Sequence, residues 1–412
     1  MIAGIHLLSL VLAQAAPDAA APAAQTLQRG VSQEQGPIYI EQFLNKLMPG
    51  LFTLEGSWWA AGLCMLLACL AVFGFVNVFA LFAVWLERKV SAHMQCRVGP
   101  MEVGWHGVLQ TLADGLKLTV KEDIIPRLAD RTLFIVAPII VFAGVFVRFV
   151  PLPFGDHLIA SDLNTGLFFI AAVGSVEVLG VIMAGWSSNN KWALFGTIRT
   201  ATQMVSYEIP IGIAFVAVVI ASGTLSMVGI VERQTGWFFA WNCFRDPFLM
   251  VLSVIYLIAS LAECKRAPFD LPEAESELVS GFHTEYSGMR FAFFFLAEYA
   301  AMYLVSAVAV VAFFGGWYTG IPQIDRIELY DPNNGFLAVL GLAIKSMTLI
   351  GKSIVIVFIQ MWVRWTLPRV RLDQMMHLCL KVLLPISLVC LVGTGVWKLI
   401  FENRIFFGLL AP

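Results

Sequence analysis

"SWWAAGLCMLLACLAVFGFVNVFALFAV", residues 57–84, contains no charged side chain. As an α-helix it would be about 42 Å long, enough to cross a hydrocarbon layer of roughly 30 Å with room for tilt. A run of that length reads as a transmembrane helix rather than a buried helix of a soluble core. The pattern recurs at about 132–152, 163–185, 204–231, 247–263, 289–316, 336–363 and 382–402. That makes eight expected spans in an all-α integral membrane protein. Over the whole chain of 412 residues, 59% are hydrophobic and only 13% charged, against about a quarter charged in a typical soluble domain. The period-2 alternation of a membrane β-barrel is absent, which leaves helices as the spanning solution.

The charge pattern orients the bundle. Loops after the first, third, fifth and seventh spans hold sixteen Lys and Arg residues, from Arg88 to Lys381. The opposite loops hold Arg233, Arg245 and Arg326, with Arg148 at their edge. By the positive-inside rule the first set is cytoplasmic, and both termini lie on the outer side. The net charge of −2 and the lack of a basic tract argue against a nucleic-acid partner.

Chemistry is sparse in the usual places. The seven cysteines form no C-x-x-C pair and no zinc or iron–sulfur spacing. There is no G-x-G-x-x-G and no Walker loop. The expectation is a chain with no metal site and no electron cofactor of its own. Residues 1–56 stand apart from the rest. "MIAGIHLLSLVLAQAA" resembles a signal-peptide core without a charged start, "PDAAAPAAQ" follows, and 38–50 could form a short amphipathic helix. The membrane domain is expected over 57–412, with large cytoplasmic loops at 85–131 and 264–290.

Two stretches concentrate ionisable residues. In the first loop, Val108, Leu109, Leu112, Leu116 and Val120 recur at helical spacing, the signature of an amphipathic helix on the membrane surface. In the second, "RAPFDLPEAESELVSGFHTEYSG" (266–288) packs carboxylates between two spans. If 270–278 is helical, Asp270, Glu273 and Glu277 share a face. Crowded carboxylates in a partly dry setting titrate together and hold protons more tightly. The bland alternative is a solvated acidic loop, but Phe269, Leu271, Leu278 and Phe282 alternate with the acids and favour a loop folded back against the bundle.

Glu177, Glu208, Glu298, Lys345 and Lys352 fall within spans, where ionisable groups are costly and mark functional paths. Glu208 and Glu298 are expected near the cytoplasmic ends, and the lysines are expected to face carboxylates on a neighbouring helix. Pro210 after Glu208 is either an ordinary kink or a break that admits water.

Three long motifs complete the reading: 87–118 "ERKVSAHMQCRVGPMEVGWHGVLQTLADGLKL", 184–210 "AGWSSNNKWALFGTIRTATQMVSYEIP" and 262–299 "AECKRAPFDLPEAESELVSGFHTEYSGMRFAFFFLAEY". From about residue 70 to 400 the chain resembles the H-subunit family of proton-pumping NADH:quinone oxidoreductase, respiratory complex I. The resemblance implies a protein at the heel of the membrane arm that builds much of a quinone chamber and couples quinone reduction to proton translocation. It implies quinone as substrate and no catalytic residue in this chain. Iron–sulfur clusters and flavin are expected only in partner subunits, which include hydrophilic-arm and antiporter-like membrane subunits. Carried over by position, Arg88, Arg97, Arg266, Phe269, Asp270, Glu273, Glu275 and Glu277 become quinone-site residues. Asp114, Lys117, Glu122, Glu208, Glu263, Glu285 and Glu298 become proton-coupling residues. Cys264 and Pro272 stand where the family commonly has Thr and Ala, and Glu177 has no counterpart in the pattern. The rivals are the equivalent component of a membrane-bound hydrogenase-type complex, a stand-alone cation–proton antiporter, and a purely structural anchor. Acids clustered at the cytoplasmic edge and the lack of an internal repeat speak against the antiporter. A leader without arginine favours the bacterial plasma membrane over the mitochondrial inner membrane.

Overall fold

A computed structural model describes residues 58–155, 158–271, 275–325 and 335–401. The expectations for residues 1–56 and for Glu273 lie outside them. Every regular element among the described residues is helical. Among the described residues, six helices are long and apolar enough to cross a membrane. They are α1 (Trp58–Met94), α4 (Gly166–Ser187), α5 (Lys191–Ser222), α7 (Gly288–Phe313), α8 (Gly335–Thr366) and α9 (Leu372–Phe401). Two shorter apolar helices are α3 (Arg131–Val147) and α6 (Pro247–Glu263). All eight overlap the expected spans. The amphipathic helix α2 (Gln110–Val120) occupies the first loop. Thr111 bonds the Leu81 carbonyl of α1 at 3.1 Å, while Leu112, Leu116 and Val120 are exposed.

Two ends of the bundle are defined by loop-to-loop hydrogen bonds. At the basic end, Asp130 N–H bonds Ser187 O, Ile124 N–H bonds Ser287 Oγ, and Val370 N–H bonds Pro268 O. At the other end, Leu167 N–H bonds Leu225 O and Phe238 N–H bonds Gly320 O. The core follows α7, whose residues Tyr299–Phe313 are all buried. A helix apolar on every side belongs in the middle.

α3 and α4 approach closely because small residues line the contact. A Cβ on Gly144 would lie 3.1 Å from the Glu177 backbone nitrogen, and one on Gly180 would lie 2.6 Å from Val141. In a membrane, packing of this kind replaces the hydrophobic drive that lipid cannot supply.

The fourth span differs from expectation. It runs Lys191–Ser222, not 204–231, and a short separate helix, Met227–Glu232, follows. Asn190 caps its start by accepting from Trp192 N–H at 3.0 Å, and Gly223 ends it at φ 77. The early turns carry Thr197, Thr200 and Gln203, all buried in the bundle, so hydropathy missed a segment whose polar groups face protein.

Candidate functional site: two buried charge networks adjoining at Lys265 and Arg266

Depth is the first surprise. Glu177 stands eleven residues after the start of α4 and ten before its end, about 16 Å from each. α6 spans seventeen residues, at the lower limit for crossing, and Glu263 at its end pairs with buried Arg148 inside the bundle. The chain then folds back at depth, with Cys264, Lys265, Arg266, Phe269, Leu271, Phe282 and Tyr286 buried. Irregular backbone survives at such depth only where protein satisfies it. Gln203 does so here, donating to Ala262 O at 2.7 Å and Phe269 O at 2.8 Å. Tyr286 stacks on Phe134 of α3, centroids 4.0 Å apart.

The expectation that the acids cluster at one membrane edge is therefore corrected. Glu208 lies seventeen residues into α5, and Arg148, placed at the outer edge by sequence, reaches into the bundle. The C-terminal ends of short α3 and short α6 meet beside Glu177.

The first network centres on that carboxylate. Arg148 donates to Glu177 at 2.5 Å and to Glu263 at 2.7 Å, and Lys265 donates to Glu177 at 3.0 Å. The second centres on Glu87 of α1. Arg266 bonds both its oxygens at 2.8 and 2.9 Å, Tyr299 donates to it at 2.6 Å, and Arg364 of α8 pairs with it. Arg266 also contacts Glu298 at 2.5 Å and lies over the Tyr299 ring at 4.4 Å. Each network thus holds two acids and two cations, which is what a low-dielectric interior demands.

Glu208 breaks that balance. It makes no hydrogen bond or ion pair among the described residues, and it faces a cavity of about 280 Å³ shared with Arg148, Glu263 and Tyr256. A second cavity of about 220 Å³ is lined by Lys265, Arg266, His283, Glu298, Arg364 and a wall of phenylalanines including Phe282 and Phe294. Glu177 lines this second cavity while its partner Arg148 lines the first.

The remaining candidates are less buried. Asp270 pairs with Arg369 at 3.2 Å. Burial pushes its carboxyl above the usual range, and Arg369 and Arg364 only partly offset that. Glu277 is exposed and bonds Arg199 at 2.6 Å, which holds its carboxyl low. The helix here covers only Glu275–Leu278, so Asp270 and Glu277 take separate partners instead of sharing a helix face. Asp114 bonds Arg88 at 2.5 Å; burial raises its proton affinity, but Arg88 and Gln110 lower it further. Glu285 accepts from Asn190 at 2.6 Å. Arg97 bonds Gln95 at 2.7 Å, and Lys117 and Glu122 are exposed. None of these joins the buried networks.

So Arg266, Glu263 and Glu298 of the expected set are joined in the buried networks, with Glu208 beside them. Sequence reading missed Glu87, Arg148, Tyr299 and Arg364 as partners, and it found no counterpart for Glu177 in the family pattern. The signal for Glu87 was available: it ends an apolar run and precedes two basic residues. Lys352 hydrogen-bonds no carboxylate among the described residues but donates to three backbone carbonyls, with Asp325 of the same turn acting on it through charge alone.

Comparison with known proteins fits this arrangement. The NADH dehydrogenase family model matches residues 67–395. The chain belongs to that family. It is 50% identical over 357 residues to the H subunit of NADH-quinone oxidoreductase from Chlorobaculum parvum, covering 86% of this chain and 97% of the relative. The protein of the same name from Chlorobaculum tepidum is 49% identical over the same shares. That of Anaeromyxobacter dehalogenans is 48% identical over 345 residues, 83% of each chain.

Proposed function

We propose that this protein is the membrane subunit of a bacterial NADH:quinone oxidoreductase that forms the quinone chamber and couples quinone reduction to proton movement. The observation that carries the reading is the geometry of Glu208: an acid without an ion-pair partner on a cavity, beside two charge-balanced networks that adjoin at Lys265 and Arg266. Quinone is the substrate. Two electrons, delivered by a partner subunit, and two protons turn it into quinol. This chain supplies the surroundings. The phenylalanine wall beside Arg266 and His283 offers an apolar face with a polar end, the pattern of a small-molecule site.

Taking protons from this end of the molecule changes the charge that Arg266 and Lys265 experience. Those two are consecutive residues, one in each network. A proton gained or lost on one side biases the other, and Glu208 is the group with no cation committed to it. The acidic loop with Asp270, Glu275 and Glu277, together with Arg88, Arg97, Asp114, Lys117, Glu122 and Glu285, lies toward the basic end. There it forms the mouth of the chamber and the contact with hydrophilic-arm subunits. That end faces the cytoplasm, and the flanks of the bundle contact lipid and antiporter-like membrane subunits in the plasma membrane.

The mid-depth acids remove one sequence argument against an antiporter. The family match and relatives of nearly full length favour the respiratory complex instead. The test is Glu208→Gln in the assembled complex. A positioned proton-transfer group contributes about 10²–10⁴-fold, so NADH:quinone turnover should fall by about tenfold or more. Electron flow from NADH to hexacyanoferrate should persist. An unchanged quinone rate would remove Glu208 from the mechanism.

A further inference from the structure

The Glu87 network depends on α8, and α8 is a peripheral helix. Met347, Val355, Ile359 and Trp362 on one face are exposed, while Leu349, Ser353, Ile356, Val357, Gln360 and Met361 form one buried stripe. A stripe of this kind holds a helix against the bundle but specifies its height poorly. In lipid the contact gains no hydrophobic energy and rests on van der Waals packing and the few polar groups of the stripe. Yet Arg364 must arrive at the level of Glu87, and a slip of one residue moves it by about 1.5 Å and turns it by about 100°.

Height is set at the other end. Lys352 Nζ donates to the carbonyls of Phe314, Gly316 and Tyr318 at 2.7, 3.2 and 2.6 Å, and it sits 4.1 Å from the centre of the Trp241 ring. The Phe314 carbonyl is at the C-cap of α7 and the other two lie in the turn that follows, close enough to the helix end for its dipole to favour a cation.

The acceptor turn is itself rigid. Gly315 and Gly316 have φ 74 and 54, and a Cβ on Gly315 would lie 2.2 Å from Trp241 Nε1. Gly315 N–H bonds buried Gln234 at 3.1 Å. Asp325 takes Thr319 N–H at 2.9 Å and Gly320 N–H at 3.2 Å. A flexible ammonium has been given a fixed three-oxygen seat.

We propose that Lys352 is a positioning residue for the Glu87 network: by seating in the carbonyl cradle after α7 it fixes the height of α8, so that Arg364, twelve residues on and about 18 Å along the axis, meets Glu87. The proposal rests on the reading of that network as part of quinone coupling. It assigns Lys352 no contact with quinone and no proton transfer.

The experiment compares Lys352→Met, Lys352→Arg, Arg364→Gln and Lys352→Met/Arg364→Gln in the assembled complex in native membranes. Lys352→Met should lower NADH:quinone turnover by about tenfold, within what a 1 Å misplacement can cost, with hexacyanoferrate reduction unchanged. Lys352→Arg should recover most of the loss, because it restores a cation with several donors. The double variant should match Arg364→Gln alone, since the lysine acts through the arginine. A full quinone rate in Lys352→Met overturns the proposal, and so does an additive loss in the double variant. If Lys352→Met does not assemble, Lys352→Gln keeps one donor and carries the same comparison; failure of both to assemble makes the lysine a folding residue and also overturns it. A normal quinone rate in Arg364→Gln is a different failure, that of the network's role in coupling.

Discussion

The Glu87 network and the Arg199–Glu277 pair show the same chemistry at opposite ends of a dielectric range. Both are built from guanidinium–carboxylate contacts. Glu87 and Arg266 are 5% and 3% exposed, whereas the Glu277 side chain is 57% exposed. An exposed pair is worth about 0–1 kcal/mol. Removing one partner of a buried pair costs about 3–5 kcal/mol, because it strands a charge. The acidic loop that draws the eye in the sequence is therefore not where the energy is. That lies in four helices, α1, α4, α7 and α8, each bringing one charged residue to the turn after α6.

Arg266→Met is expected to have the largest effect. It leaves Glu87 and Glu298 with Arg364 as the cation of their network, and Tyr299 loses the guanidinium over its ring. Stability should fall by about 3–5 kcal/mol, read as loss of assembled complex on native gels. Normal assembly together with a normal thermal midpoint would mean the buried cluster is no more costly to break than a surface pair, and the comparison would collapse.

Glu177→Gln comes next. It removes the charge that Arg148 and Lys265 share and leaves Glu263 as the acid of its network. The Gln oxygen still accepts one hydrogen bond, so assembly should survive better than in Arg266→Met. Quinone turnover should nonetheless fall by about tenfold or more, on the order of one charge-assisted hydrogen bond, about 1.5–3 kcal/mol. Equal damage from Glu177→Gln and Glu277→Gln would dissolve the distinction between the two regions. For Glu277→Gln itself the expected loss of stability is within about 1 kcal/mol, measured as the shift in thermal midpoint.

Legibility in the sequence divides along the same line. Length and apolar composition fix a helix wherever lipid is the neighbour, so the eight spans could be read from windows of hydropathy. α5 escaped because its first turns bury Thr197, Thr200 and Gln203 against protein, and a hydropathy window cannot tell a polar residue facing protein from one facing water. The candidate acids Glu263, Glu208 and Glu298 were visible because charge inside a span is rare. Their partners were not. Glu87 and Arg364 are 277 residues apart, and nothing local to either announces the other. Arg148 was misplaced because sequence counts residues along a span. It could not show that α3 and α6 are both short, which brings the end of one to the end of the other. Lys352 was paired with carboxylates by analogy of charge, whereas its partners are carbonyls that have no sequence signature at all.

The smallest expected effects come from pH, and they have opposite signs at two loop residues. Burial, and then Lys265, hold His283 down to about 4, against an ordinary value of 6.5. Between those limits the unfolded chain binds a proton that the folded chain refuses. Its contribution to stability is therefore complete above pH 6.5 and shrinks as pH falls toward 4. Asp270 is raised above its ordinary 3.8 by burial, so the folded state binds its proton more tightly. Its contribution is greatest below 3.8 and is lost as pH rises beyond that value. Acidifying from pH 6.5 to 4.5 should thus lower the thermal midpoint less steeply in His283→Asn than in the natural protein, and more steeply in Asp270→Asn. The check is the midpoint of the purified complex at several pH values, followed by intrinsic tryptophan fluorescence. Parallel slopes in all three proteins would show that neither side chain keeps its dry surroundings in the assembled complex. The loop would then be as wet as the Arg199–Glu277 pair, and the contrast in burial would stop at Lys265 and Arg266.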